Sequence, residues 1–259
     1  MAKGWARFPY PEKQYVHTAA TLKKAWGRLH HGDQEPYPKD AAVVDAWLAF
    51  HAGDFEKAAE QGLAAGGAGV TAANKATAIY ANYLEENEKK KLALFEDVAA
   101  RAEQQQAREP KNANAFYWHA YALGRYAQGI SIGKALAQGI GGKVKASLET
   151  TLKLAPKHAD AHIALASYHA EVIDKVGSMI GGLTYGAKKE TALKLYEAAL
   201  KLAPGSAIAR IEYANGLVML EGKKGLAKAE KLYAEAAACE PLDAMERLDV
   251  ELAKTELED

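Results

Sequence analysis

The sequence predicts an all-α fold built as a stack of helix-turn-helix pairs. Three observations carry this. About a fifth of the residues are alanine, the strongest helix former. One short pattern of small and large apolar residues recurs ahead of successive prolines, as an internal repeat requires. No stretch alternates apolar and polar residues for long enough to make a strand.

The elements follow in order. Residues 12–31 read as a helix that covers the first pair, because an end unit otherwise exposes an apolar face. Ala41 to His51, then Gly53-Asp54-Phe55-Glu56-Lys57-Ala58-Ala59, read as that pair. Gly66 to Gly69 is a tight turn. Thr71 to Glu86 and Glu88 to Arg108 form the next pair. After Pro110, Pro156 and Pro204, new helices open at Ala113, Ala159 and Ala207. Each is followed by a ladder: Val144, Leu148 and Thr151; then Ala192, Tyr196 and Ala199; then Ala229, Tyr233 and Ala236. Offsets of i, i+4 and i+7 place each ladder on one stripe of a helix. Small residues let a neighbouring helix approach, and the large one fills the gap between them. The following proline lies beyond the helix end, where its missing N–H disturbs nothing. Residues 242–257 close the stack.

The pattern Ala-x3-aromatic-x2-Ala-x4-Pro resembles the second helix of a tetratricopeptide repeat. Leu165-Ala166 and Tyr213-Ala214 sit where that family has its Leu-Gly step. The resemblance implies a right-handed superhelical stack with a concave groove. The prolines at 110, 156 and 204 are farther apart than the roughly 34 residues of that repeat. The excess falls at 124–142 and 171–186, each opening with helical apolar spacing and closing in glycines. Overlong repeats of this layout, with Ser167-Tyr168-His169-Ala170-Glu171 and Leu183-Thr184-Tyr185-Gly186, are similar to the regulator of microtubule dynamics family. They are also similar to the repeat subunit associated with some bacterial periplasmic transporters of the TRAP type. The expected organisation is one α-solenoid over 1–259: a capping segment at 1–37, degenerate pairs at 38–109, repeats at 110–241 and a capping helix at 242–259. The two insertions are expected to be ordered helical extensions that bury each other's apolar residues, Ile130, Ile132, Leu136 and Ile140 in one and Val172, Val176, Met179 and Ile180 in the other.

Lys plus Arg and Asp plus Glu both number 33, and the pI is about 7.1. That balance argues against a nucleic-acid partner, since neutralising phosphates needs surplus basic charge. It argues equally against a polybasic membrane patch. The least charged stretch, Gln61 to Asn74, is too short and too polar to span a bilayer. The start of the chain has no run resembling a secretory signal, so a cytoplasmic location is expected. Cys239, the single cysteine, lies in an alanine-rich helical stretch and reads as a small hydrophobe.

Candidate chemistry is sparse. His158, His162 and His169 follow helical spacing, but no complete zinc ligand set accompanies them, so no metal is expected. Gly129 to Ala135 and Gly139 to Val144 look like phosphate-loop fragments with the wrong spacing and no metal-binding hydroxyl, and read as turns. No nucleophile triad, catalytic carboxylate pair or dinucleotide fingerprint can be assembled. Neither an enzyme nor a cofactor is expected.

Tyr117, Tyr121 and Arg125 lie one turn apart on a helix face, and repeats of the resembled kind turn that face into the groove. Ser167 and Glu171 hold the equivalent places in the next repeat, with Asn215 in the one after. Trp118 reads as core. Tyrosines with one Arg and one Glu suit a bound peptide or helix. The expected function is a non-enzymatic scaffold that binds another protein in a concave groove, without inserting into a membrane. The alternative is a small-ligand-binding helical protein, its pocket closed by the glycine-rich insertions.

Overall fold

The computed structural model describes residues 4–258. Among them there is no strand, and the chain runs through thirteen α-helices. These are α1 (Ala19–Leu29), α2 (Ala41–His51), α3 (Phe55–Ala65), α4 (Gly69–Tyr83) and α5 (Glu88–Arg108). Then come α6 (Ala113–Gln128), α7 (Ile132–Ala137), α8 (Ile140–Leu154) and α9 (Ala159–Tyr185). The last are α10 (Lys189–Leu202), α11 (Ala207–Glu221), α12 (Leu226–Ala237) and α13 (Ala244–Glu258). The starts are chemically marked: Thr18, Asp40, Asn87, Asn112, Ser131, His158 and Ser206 each accept a first-turn N–H.

The helices gather into two compact units. The first holds the chain up to His30, Glu35–Leu154 and Leu242–Met245. The second holds His31–Gln34, Ala155–Pro241 and the chain from Glu246 onward.

In the first unit, α2 pairs with α3, α4 with α5 and α6 with α8. Helices α2, α4 and α6 also touch in succession, which makes them one layer. Alanines let α4 run through the middle: Ala72, Ala73, Ala76, Ala78 and Ala81 are fully buried. Three of its polar side chains accept hydrogen bonds from α5. Arg101 donates to Asn74 Oδ1 and Thr77 Oγ1, both at 3.0 Å, and Gln105 donates to Thr71 Oγ1 at 3.0 Å. Those bonds matter because a buried polar group without a partner costs about 1–3 kcal/mol. Lys75 is buried with its ammonium over the Phe50 and Trp47 rings.

In the second unit, α9 pairs with α10 and α11 with α12, and α9 and α10 both touch α11. The sequence ladder forms its core. Ala192, Tyr196, Ala199 and Ala229 are buried with Ile163, Tyr213 and Leu217.

The insertions are helical, as their spacing predicts, and Ile140 is buried and Ile130, Val172 and Val176 partly so, but four of the apolar residues expected to be covered are not. Met179 is 77 % and Leu183 85 % exposed, and Ile132, Leu136 and Ile180 are exposed as well. Gly177 supplies the reason. Its φ of 82° and ψ of 157° break α9, a backbone conformation that residues with a Cβ rarely adopt. The segment beyond it doubles back and presents its glycines to α9's own first part. A methyl at Gly181 would lie 3.3 Å from Val172 Cγ1 and 3.6 Å from Ala187 Cβ. With Gly181 facing inward, Met179, Ile180 and Leu183 face out. Helix α7 is too short to offer a buried stripe, and none of its six residues is buried.

Candidate partner-binding surface

The six residues singled out from the sequence fall into the two units. Tyr117, Tyr121 and Arg125 stand on α6 in the first; Ser167 and Glu171 on α9 and Asn215 on α11 stand in the second.

On α6 the side chains differ in what they offer. Tyr117 is only 6 % exposed, its ring edge-on to Trp118 at 4.9 Å and tilted against Tyr121 at 6.2 Å. It backs the surface. Trp118 is buried as core. Tyr121 and Arg125 are half-buried one turn apart. The Arg125 guanidinium lies 5.4 Å from the centre of the Tyr121 ring and donates to Gln128 Oε1 at 3.2 Å. An aromatic face held under a guanidinium is a stiff, amphipathic contact with little rotamer entropy left to lose.

In the second unit, Ser167 and Asn215 belong to a tyrosine-lined polar strip. Ser167 Oγ is 2.9 Å from Tyr196 OH and donates to Glu212 Oε2 at 3.0 Å. Tyr196 stacks on Tyr213 at 5.0 Å between ring centres. Lys228 donates to Tyr213 OH at 2.6 Å, and Tyr233 OH donates to Asn215 Oδ1. Burial pushes the Tyr233 phenol up to about 12 and the Tyr196 phenol higher still, so both remain neutral donors. Sequence reasoning missed Glu212. It singled out Asn215 on α11, but one turn before it Ile211 is core, and the next residue along the helix, Glu212, reaches Ser167. A one-residue rotation of register separates the two, and helical spacing alone does not fix it.

The histidines act locally. His158 Nδ1 caps α9 by accepting from Ala161 N–H, His162 Nε2 lies 3.0 Å from the Pro156 carbonyl, and His169 Nδ1 accepts from Lys188 N–H. Among the described residues no group of three or more His, Cys, Asp or Glu is arranged to hold a metal. Cys239 is half-buried, and burial pushes its thiol up, away from the reactive thiolate. No helix among the described residues is long and apolar enough to cross a membrane.

Two imidazoles give the fold a pH dependence. Burial holds His17 below the ordinary value, and the charge of His51 adds to this. Burial does the same to His119, whose Nδ1 lies 2.8 Å from Ser147 Oγ. Unfolding returns both rings to about 6.5, so below that pH the unfolded chain binds more protons. Their stabilising contribution is therefore full above about pH 6.5 and is lost as the pH falls below it. Urea midpoints should drop between about pH 7.5 and pH 5.5. The drop should shrink in a His17→Gln, His119→Gln double variant; an equal drop in that variant would assign the effect to other groups.

No protein-family model matches the chain, and no curated protein matches it in sequence. Among solved structures, it is similar to a thermophilic tetratricopeptide-repeat protein of Thermus thermophilus, with a TM-score of 0.57 at 15% identity. The similarity covers 83% of this chain and 97% of that one. The chain has the fold of a tetratricopeptide-like stack of helix pairs.

Proposed function

We propose that this chain is a non-enzymatic interaction module that holds a peptide or helix of another protein against α6, with Tyr121 and Arg125 as the anchor. The observation that carries this is the half-buried Tyr121 ring under the Arg125 guanidinium, on a helix of the α2, α4 and α6 layer. The ring offers contact area and the guanidinium a fixed fork for a carboxylate or carbonyl on the partner. Ser167, Glu171 and Asn215 give the second unit a polar stretch of its own. The repeat fold supports an interaction role by analogy only. A small-ligand pocket closed by the insertions gains no support, because Met179, Ile180 and Leu183 turn to solvent.

The test uses the chain and a Tyr121→Ala, Arg125→Ala variant as baits in extract of the native cell. A partner retained by the first should be recovered about tenfold less with the second, the loss expected of one hot-spot contact. Equal recovery of every co-eluting protein with both baits would refute the assignment.

A further inference from the structure

A cleft of about 370 Å³ opens in the first unit, away from α6. Three elements line it. Helix α2 contributes Asp45, Leu48, Ala49 and, just past its end, Ala52, which share one helical stripe. Asp54 leads into α3, which adds Lys57 and Gln61 one turn apart. The strap ahead of α1 adds Val16 and His17. The cleft therefore has an apolar side, Val16, Leu48, Ala49 and Ala52, and a polar side made of two carboxylates, one ammonium, one imidazole and one amide.

The polar side is not explained by the fold. Asp40 and Asp54 both precede a helix. Asp40 caps α2 by accepting from Ala42 N–H at 2.9 Å, whereas Asp54 makes no such bond to α3. Gln61 Oε1 and His17 Nε2 are buried atoms with no hydrogen-bond partner among the described residues. Both atoms are sealed within the walls, so the charged groups open to the cleft are Asp45, Asp54 and Lys57. Two carboxylates against one ammonium leave this rim net negative.

We propose that this cleft binds a small primary amine with a short apolar stem. Its ammonium sits with the Asp45 and Asp54 carboxylates, its stem lies on Leu48, Ala49 and Ala52, and an acceptor at its far end faces Lys57. The volume lies at the small end of ligand sites and fits a molecule of this size. Lys57 sets the discrimination: it favours an amine whose other end is a carboxylate or carbonyl and repels a second ammonium. The same chemistry is carried by a free ω-amino acid and by a lysine side chain within a peptide.

Calorimetric titration of the full chain with 6-aminohexanoate, cadaverine, hexanoate and Nα-acetyl-lysine amide tests this. Saturable binding of 6-aminohexanoate at millimolar concentration or tighter, with cadaverine weaker and hexanoate silent, is the expected result. Binding of the acetyl-lysine amide in its place would identify a peptide as the source of the amine. Asp45→Asn with Asp54→Asn should weaken binding about tenfold, the equivalent of one charge-assisted hydrogen bond. Lys57→Ala should bring cadaverine level with 6-aminohexanoate. These residues are exposed, so the variants keep the fold. The proposal fails if neither amine source binds, if hexanoate binds as well as 6-aminohexanoate, or if the Asp double variant binds unchanged.

Discussion

Replacing His51 with alanine is expected to remove about 3–5 kcal/mol of stability, the range seen when one partner of a buried pair is lost. His51 is fully buried and Asp243 nearly so. His51 Nδ1 lies 2.7 Å from Asp243 Oδ2, and a carboxylate only accepts, so Nδ1 carries the hydrogen. The other ring nitrogen lies 3.3 Å from His30 Nε2, and His30 in turn stacks on Trp26 at 3.9 Å. Alanine removes the donor to a buried carboxylate, a partner of His30 and the ring that lies against Trp47. Three costs fall on one site. Asp243→Asn keeps the volume and an acceptor oxygen, so it should cost less than half as much. Urea denaturation checks both: the midpoint falls while the slope, set by the surface exposed on unfolding, stays constant. A loss below about 1 kcal/mol for His51→Ala would place the pair outside the stability core.

In the second unit the largest effect is expected at Tyr196. It is buried, stacks on Tyr213 and lies 2.9 Å from Ser167 Oγ through its hydroxyl. Tyr196→Ala should cost about 3–5 kcal/mol, as large aromatic truncations do. Its neighbour Gly216 reports on the same space. A methyl there would lie 2.5 Å from Tyr196 Cε2 and from its hydroxyl. Gly216→Ala gains about 1 kcal/mol of helix propensity but overpacks the ring, at about 1–3 kcal/mol, so it should destabilise. In the double variant the methyl enters space the ring has left. The pair should then be less destabilised than the sum of the singles by more than about 1 kcal/mol. Additivity within about 0.5 kcal/mol would show that the two do not share that space.

Tyr196 was legible from sequence because its ladder is local: residues three and four apart must share a face whatever the rest of the chain does. The helix starts at Ala113, Ala159 and Ala207 were legible for the same reason, from the prolines just ahead of them. The His51–Asp243 pair was not, because 192 residues separate its members and no periodicity links them. The turn at Gly177 was not either. A glycine within apolar helical spacing reads equally as a tolerated helix residue or as a break, and only its left-handed φ decides. That turn is why Met179, Ile180 and Leu183 face solvent. At the candidate partner surface, residue identities were legible but exposure was not. Tyr117 and Tyr121 share a stripe and both rings lie against Trp118, yet the first is buried and the second half open.

The central claim is that Tyr121 belongs to a contact surface and not to the core. One variant decides it. Tyr121→Ala, measured for its thermal melt and for its affinity toward the partner recovered with the native chain, should lose about 2 kcal/mol or more of binding while its melt changes little. A Tyr121→Ala protein destabilised by about 3–5 kcal/mol, whose folded fraction binds that partner as tightly as the native chain does, would contradict the account.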